Sequence, residues 1–256
     1  MKWFALFRPL LLLTTLFTTT LVQADQPKPH LMIYCGTTMI RPMNDLARIF
    51  EQREKIKIDF VQGGSADLYK SAVKSRRGDL YLPGEASFRH NNLKDGLLGD
   101  FRLVGYNRLA LMVQKGNPKK VQPDPRQLLR KDLHILLSGS DTCSSGLASK
   151  RLFNQLGIYD KLLKKAVMVL PDSRAIAGSM RRGEADAVIT WRGTVLFADT
   201  QKQFDMIELP DPWGSSQELL LNQFTFSKQP TIALKFMDFA SGPEGQAIFT
   251  KYGFGK

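Results

Sequence analysis

Two cysteines and three histidines are all that this 256-residue chain offers in thiols and imidazoles. Cys35 and Cys143 lie in no CxxC or HxxxH spacing, so a transition-metal centre is not expected. His30, His90 and His134 fall in no recognisable nucleophile–base motif, which argues against a hydrolytic enzyme. Acids are scarce as well: 24 Asp and Glu stand against 36 Lys and Arg, for a formal charge of +12. Beyond residue 24 no apolar run reaches the ~20 residues that span a bilayer, and no repeat or low-complexity tract interrupts the chain. The basic residues are scattered in short groups such as 74–77 and 119–120, not gathered in one arm or one amphipathic helix. A nucleic-acid or membrane-surface partner is therefore not expected, and most of these charges read as solvated surface with a secondary pull on anions.

What is present begins with an export signal. Lys2 and Arg8 form a positive start, residues 10–21 an apolar run without acids, and Val22-Gln23-Ala24 a small-residue cleavage site. A retained anchor is disfavoured because the run is short and broken by threonines, and a lipoprotein because the first cysteine, Cys35, lies far past it. The mature chain is expected to start at Asp25, to carry a charge of +10 once Lys2 and Arg8 are removed, and to reside in the periplasm or its equivalent.

From Leu31 onward β-rich runs alternate with helical patterns, the mark of an α/β architecture. Strands are predicted over 31–34, 56–60 and 79–82, with a helix after the first strand that has Pro42 in its first turn and Met43, Leu46, Ile49 and Phe50 on one face, and another over 66–76. Residues 108–118 read as a long strand ended by a turn, the candidate crossing into a second lobe. There strands at 134–137, 167–170 and 185–191 alternate with helices at 147–156 and 175–182. The chain is then expected to return. Ile232, Phe236 and Phe239 form one helical stripe, and Ser241-Gly-Pro-Glu244 reads as a capping box opening a last helix. The resulting organisation is a leader (1–24), a first lobe (25–107 and 209–256) and a second lobe (108–208).

Four loops share one design: a strand ends, small or hydroxyl residues follow, and a helix begins. They are Gly36-Thr37-Thr38, Gly63-Gly64-Ser65, Ser144-Ser145-Gly146 and Asp172-Ser173-Arg174. Each helix start presents unpaired amides and the positive end of a dipole, and in open α/β sheets such loops gather at the carboxyl ends of strands. Together they suit a tetrahedral anion held by neutral donors, although any one of them alone is an ordinary helix cap. Trp191 ends a strand in the second lobe and offers an indole N–H or simple cover for the cleft. Asp141, Asp172 and Glu85 lie near the loops as potential acceptors. Cys35 and Cys143 read as small buried residues, with a bridge locking the two lobes as the sharper alternative.

The order of these pieces resembles the molybdate-binding proteins of ABC importers. The resemblance is carried by the opening strand–Gly-Thr-Thr–helix, Leu-Ala-Leu-Met-Val-Gln-Lys-Gly-Asn-Pro ending at Pro118, Arg182-Gly-Glu-Ala-Asp-Ala-Val-Ile-Thr-Trp191, and Ser241-Gly-Pro-Glu-Gly-Gln-Ala-Ile-Phe-Thr-Lys-Tyr-Gly-Phe254. It implies a two-lobe type II periplasmic binding-protein fold, each lobe a mixed sheet flanked by helices, with the ligand cleft between them. It further implies a monomer without cofactor that gives molybdate or tungstate to a membrane permease. The implied ligand-binding residues are Thr37, Thr38, Gly64, Ser65, Ser144, Ser145, Ser173, Arg174 and Trp191. Thr38, Gly63-Gly64 and Trp191 depart from the serines and tyrosine usual in similar proteins. Sulfate, phosphate and chromate stay open as ligands, and a Cys/His transition-metal site stays open as the weaker alternative.

Overall fold

Side chains leave a strand alternately to its two faces, and β1 (His30–Gly36) uses both. Leu31, Ile33 and Cys35 enter one apolar cluster, while Met32 and Tyr34 face a second. The computed structural model describes residues 29–196 and 198–256; the expected leader, 1–24, lies outside the described residues. The other strands are β2 (Lys57–Gly63), β3 (Leu80–Leu82), β4 (Leu98–Asn107), β5 (Leu109–Gln114), β6 (Leu136–Ser138), β7 (Met168–Leu170), β8 (Ala187–Trp191), β9 (Phe204–Glu208) and β10 (Gln217–Phe224). The helices are α1 (Ile40–Glu54), α2 (Ser65–Ser75), α3 (Ser87–Asn92), α4 (Ser144–Gln155), α5 (Tyr159–Lys165), α6 (Ser173–Arg181), α7 (Arg192–Val195), α8 (Ala198–Gln201), α9 (Pro230–Ser241) and α10 (Pro243–Lys251).

The strands form two sheets of one design. In the first the order is β2-β1-β3-β10-β4, with β1, β2 and β3 parallel and β10 antiparallel to both its neighbours. In the second, β8-β5-β9 and β6-β7 are joined by a parallel bridge between Ile135 and Ala187. That bridge sets β6 beside β8 and gives the order β7-β6-β8-β5-β9. The antiparallel strand of each sheet, β10 or β5, is the one the chain enters on crossing over. The crossings are the tight step from β4 to β5 at Asn107-Arg108 and the longer strap 209–216. Each sheet is covered on both faces. Phe50, Phe236 and Phe249 from α1, α9 and α10 pack with β1 and β3, and Leu68, Tyr69 and Phe88 from α2 and α3 cover the other side. In the second sheet Leu109, Leu111 and Val113 of β5 face Leu152 and Phe153 of α4, while Met112 faces Ile176 and Met180 of α6.

The strand and closing turn expected over 108–118 are present as β5 and a turn at Gly116 and Asn117, which have positive φ values of 79° and 45°. Two local expectations change. The capping box at Ser241 does not form: Ser241 closes α9 and bonds Asp238 O, Gly242 opens α10 in an extended conformation, and Glu244 is taken by Arg53 at 2.9 Å. The helices expected from residues 66, 147 and 175 begin earlier, at Ser65, Ser144 and Ser173. The loop serines are thus first helical residues, not caps. The cap positions belong to Gly64, Cys143 and Asp172, and of these Asp172 alone caps with its side chain.

Candidate functional site

The carboxyl ends of β1, β2 and β8 and the loops after β6 and β7 meet around one cavity between the two sheets. Its walls are Gly36, Thr37, Thr38, Gly63, Gly64 and Ser65 from the first lobe, and Cys143, Ser144, Ser145, Asp172, Ser173 and Trp191 from the second. The volume is about 10 Å³, close to the lower bound of roughly 10–15 Å³ at which a cavity holds one water. Larger hollows of 280 to 380 Å³ lie on the surface, and one of them, of 310 Å³ and lined by Arg41, Arg174 and Arg181, adjoins the cavity through Thr37 and Ser173. Convergence of the loops, not size, singles out the small cavity.

The lobes touch directly around it. Ala66 N donates to Thr142 O at 3.1 Å, and the Arg174 guanidinium donates to Gln62 Oε1 at 2.8 Å. Arg174 therefore differs from the other eight expected residues: it lies outside the cavity wall and ties the lobes together at the rim. The remaining eight all line the cavity.

Hydrogen-bond direction sets the polarity of the walls. Trp191 is buried and its indole N–H donates to Ser144 Oγ at 2.8 Å. The backbone N–H of Gly84 donates to Ser65 Oγ at 3.1 Å. A hydroxyl whose oxygen is held by a fixed donor keeps its own proton for another acceptor, so Ser65 and Ser144 are oriented as donors. Trp191 acts on the wall through Ser144, not through an indole N–H of its own. Thr38 Oγ1 points at the weak acceptor Met39 Sδ, 3.0 Å away, and Ser145 Oγ shares a 3.4 Å contact with Cys143 Sγ. Thr37 Oγ1 donates to Gly63 O at 3.3 Å.

The backbone adds donors unequally. In α4 the first intrahelical bond is Leu147 N to Cys143 O, which leaves Ser144, Ser145 and Gly146 ahead of it. In α6 the amides of Arg174 and Ala175 are taken by Asp172 Oδ1 at 2.8 and 2.9 Å, and in α2 the amide of Ala66 is taken by Thr142. The start of α4 and the turn Thr37–Met39 are accordingly the richest donors. No Lys, Arg or His lines the cavity, and its one carboxylate is that of Asp172.

Both cysteines are free and buried. Cys143 borders the cavity, and burial pushes its thiol above the usual range. Cys35 instead belongs to the core under α1. Asp141 is exposed and bonds Ser140. Glu85 lies outside the wall, fully buried, with its carboxylate on Arg151 of α4. Among the described residues no group of three His, Cys, Asp or Glu side chains is placed to hold a metal ion.

Comparison with known proteins agrees with this architecture. A family model described as "Bacterial extracellular solute-binding protein" matches residues 31–255. A Haemophilus influenzae protein, named only as a binding protein, is 23% identical over 241 residues, covering 93% of this chain and 94% of that one. Among solved structures, the periplasmic molybdate-binding protein of Azotobacter vinelandii has a TM-score of 0.75 at 18% identity, covering 88% of this chain and 98% of that one. The sulfate-binding protein SubI of Mycobacterium tuberculosis has a TM-score of 0.77 at 16% identity, with coverage of 88% and 86%. A periplasmic thiamin-binding protein reaches 0.78 at 18% identity, with coverage of 90% and 84%. The α/β periplasmic binding-protein fold expected from the sequence is the fold these proteins share.

Proposed function

Since the chain belongs to the family of bacterial extracellular solute-binding proteins, we propose that it captures a small tetrahedral oxyanion, molybdate or tungstate, and hands it to the membrane permease of an ABC importer. It acts as an exported monomer without a cofactor. One observation carries this reading: loops from both lobes close on a single small cavity in which the Ser65 and Ser144 hydroxyls, one from each lobe, are aligned as donors and whose wall contains no cationic side chain. A cavity of about 10 Å³, near the space of one water, would have to widen slightly for a five-atom oxyanion and far more for an organic ligand of the usual ~300 Å³, which favours the ion. The ion cannot enter while the lobes touch, so capture requires them to part and then close. Closure exchanges hydration water for fixed amide and hydroxyl dipoles in a dry site. Neither lobe alone supplies the full set of donors, and the permease reads the closed form.

A second reading, hydrogen phosphate, is favoured by Asp172, whose carboxylate reaches the wall and suits the proton that phosphate keeps near neutral pH. Calorimetry against molybdate, tungstate, chromate, sulfate, phosphate and a panel of divalent cations tests both readings. Binding confined to cations would end them. With an oxyanion bound, Thr38→Val and Ser65→Ala should each weaken affinity by about 1.5–3 kcal/mol, the loss of a hydrogen bond to a charged group. Unchanged affinity in both variants would show that the first-lobe wall does not meet the ligand.

A further inference from the structure

Away from the cavity the lobes are joined by a pair of opposite charges. Glu85 follows β3 in the first lobe and is fully buried, while Arg151 stands on α4 in the second lobe with its side chain 43% exposed. The contact is two-pronged: Arg151 Nη1 donates to Oε1 at 2.9 Å and Nη2 to Oε2 at 2.5 Å. Ser87 Oγ also donates to Oε1, at 2.6 Å. Other ion pairs serve other places: Arg53–Glu244 and Lys115–Asp205 each lie within one lobe, and Arg108–Asp211 lies at the strap.

The neighbouring residue connects this pair to the cavity. Gly84 lies so close to the second lobe that a Cβ there would fall 2.0 Å from Ser144 Oγ and 3.0 Å from Trp191 Nε1. Its N–H holds Ser65 Oγ, and its carbonyl accepts from Asn107 Nδ2 at the first crossing, 3.3 Å away. One short segment thus touches both cavity walls, a crossing point and the charge pair.

From this geometry we infer that Glu85 and Arg151 are positioning residues, a closure clamp that sets how much of the protein holds the lobes together without itself touching the anion. The inference rests on the oxyanion reading only for its affinity readout. A buried carboxylate without a partner is costly, and its partner here comes from the other lobe, so parting the lobes returns both charges to water. Desolvation of Glu85 offsets much of the attraction, and the exposed side of Arg151 is screened by solvent. The pair therefore biases closure without locking it. Apparent affinity scales with the closed fraction, so a smaller fraction weakens binding with every ligand contact intact.

Glu85→Gln keeps the side-chain shape and the Ser87 contact; Arg151→Met alters the other partner from its exposed side. Spin labels on Lys70→Cys and Lys161→Cys, exposed on α2 and α5, report lobe separation in the full mature chain, alone and with molybdate. The short separation should be populated without ligand and lost from that population in either variant. Molybdate affinity should fall about tenfold, mainly through faster release, and the double variant should be no weaker than the worse single. The clamp is refuted if no short separation exists without ligand, or if both variants keep the wild-type distances. It is also refuted if affinity changes only in step with a lowered ligand-free melting temperature at unchanged distances, which would mark a merely structural pair. If no anion binds at all, the oxyanion reading fails, and the ligand-free distances still decide the clamp.

Discussion

Gly64→Ala separates folding from closure. At φ −70° and ψ 143° Gly64 occupies extended backbone open to any residue, so an alanine there strains nothing within its own lobe. A less flexible unfolded chain should even add about 0.4–1 kcal/mol of stability. Closed lobes are another matter. The new Cβ would lie 2.3 Å from Thr142 O, 2.9 Å from Thr142 C and 3.3 Å from Pro171 O, all backbone atoms of the second lobe. Ordinary contact begins at 3.4 Å, so the lobes must retreat by the difference from 2.3 Å, about 1.1 Å at that point. The bond from Ala66 N to Thr142 O, now 3.1 Å, would stretch out of range, and the start of α4 would draw away from the turn Thr37–Met39. Losing two hydrogen bonds to a bound ion at about 1.5 kcal/mol or more each gives about 3 kcal/mol, a hundredfold or greater rise in Kd. Calorimetry of ion binding and of melting measures both quantities. Gly99→Ala, whose Cβ meets nothing nearer than 3.7 Å in the same lobe, is the control: it should share the small gain in stability and leave ion binding unchanged. A Gly64→Ala protein that binds within threefold of wild type would refute the proposed closure geometry.

Further expectations follow from the same walls. Trp191→Phe keeps an aromatic ring in the core but removes the donor to Ser144 Oγ, and affinity should fall by about 1 kcal/mol; equal calorimetric affinity would mean that the indole does not orient that hydroxyl. Asp172→Asn preserves an N-cap acceptor on α6 while removing the one carboxylate of the wall. Fully ionised molybdate and sulfate should bind several-fold tighter and phosphate weaker, and the opposite ranking in competition titrations would refute this assignment of Asp172. Burial raises the pKa of both cysteine thiols, so the native protein should resist alkylation near pH 8 and show no two-proton mass gain on reduction. Rapid labelling without denaturant would contradict that.

Much of the cavity was legible in the chain because its residues cluster in four strand-to-helix loops, and local composition marks such loops. What the sequence could not convey is direction. Local pattern placed the helix starts too late: α2, α4 and α6 begin at Ser65, Ser144 and Ser173, with Gly64, Cys143 and Asp172 in the cap positions. The bond from Trp191 to Ser144 spans 47 positions, and the pairing of β10 with β3 joins Asn222 to Tyr81. No periodicity within a window of a dozen residues reports such distances, and β4 and β10 were missed for the same reason. β4 also pairs with β10 through a register shift between Leu219 and Leu220, which breaks the alternation that would have marked it.

Glu85 shows how this limit bears on function. By spacing it belongs with the loops, and a carboxylate near an anion site reads as an acceptor for a protonated ligand. In the fold, Gly84 takes the place against Ser144 and Trp191, and the next side chain turns away from the cavity to Arg151. Its charge is thereby withdrawn from the ion and applied to the contact between lobes. A wall of neutral donors can attract a dianion only if nearby carboxylates are neutralised or removed. Glu85 meets that condition in full through a guanidinium, whereas Asp172 meets it only in part through two amides of α6, which leaves the residual repulsion that Asp172→Asn would relieve. Selectivity and closure are for that reason coupled: a substitution that frees Glu85 from Arg151 both loosens the lobes and returns a negative charge to the vicinity of the ligand.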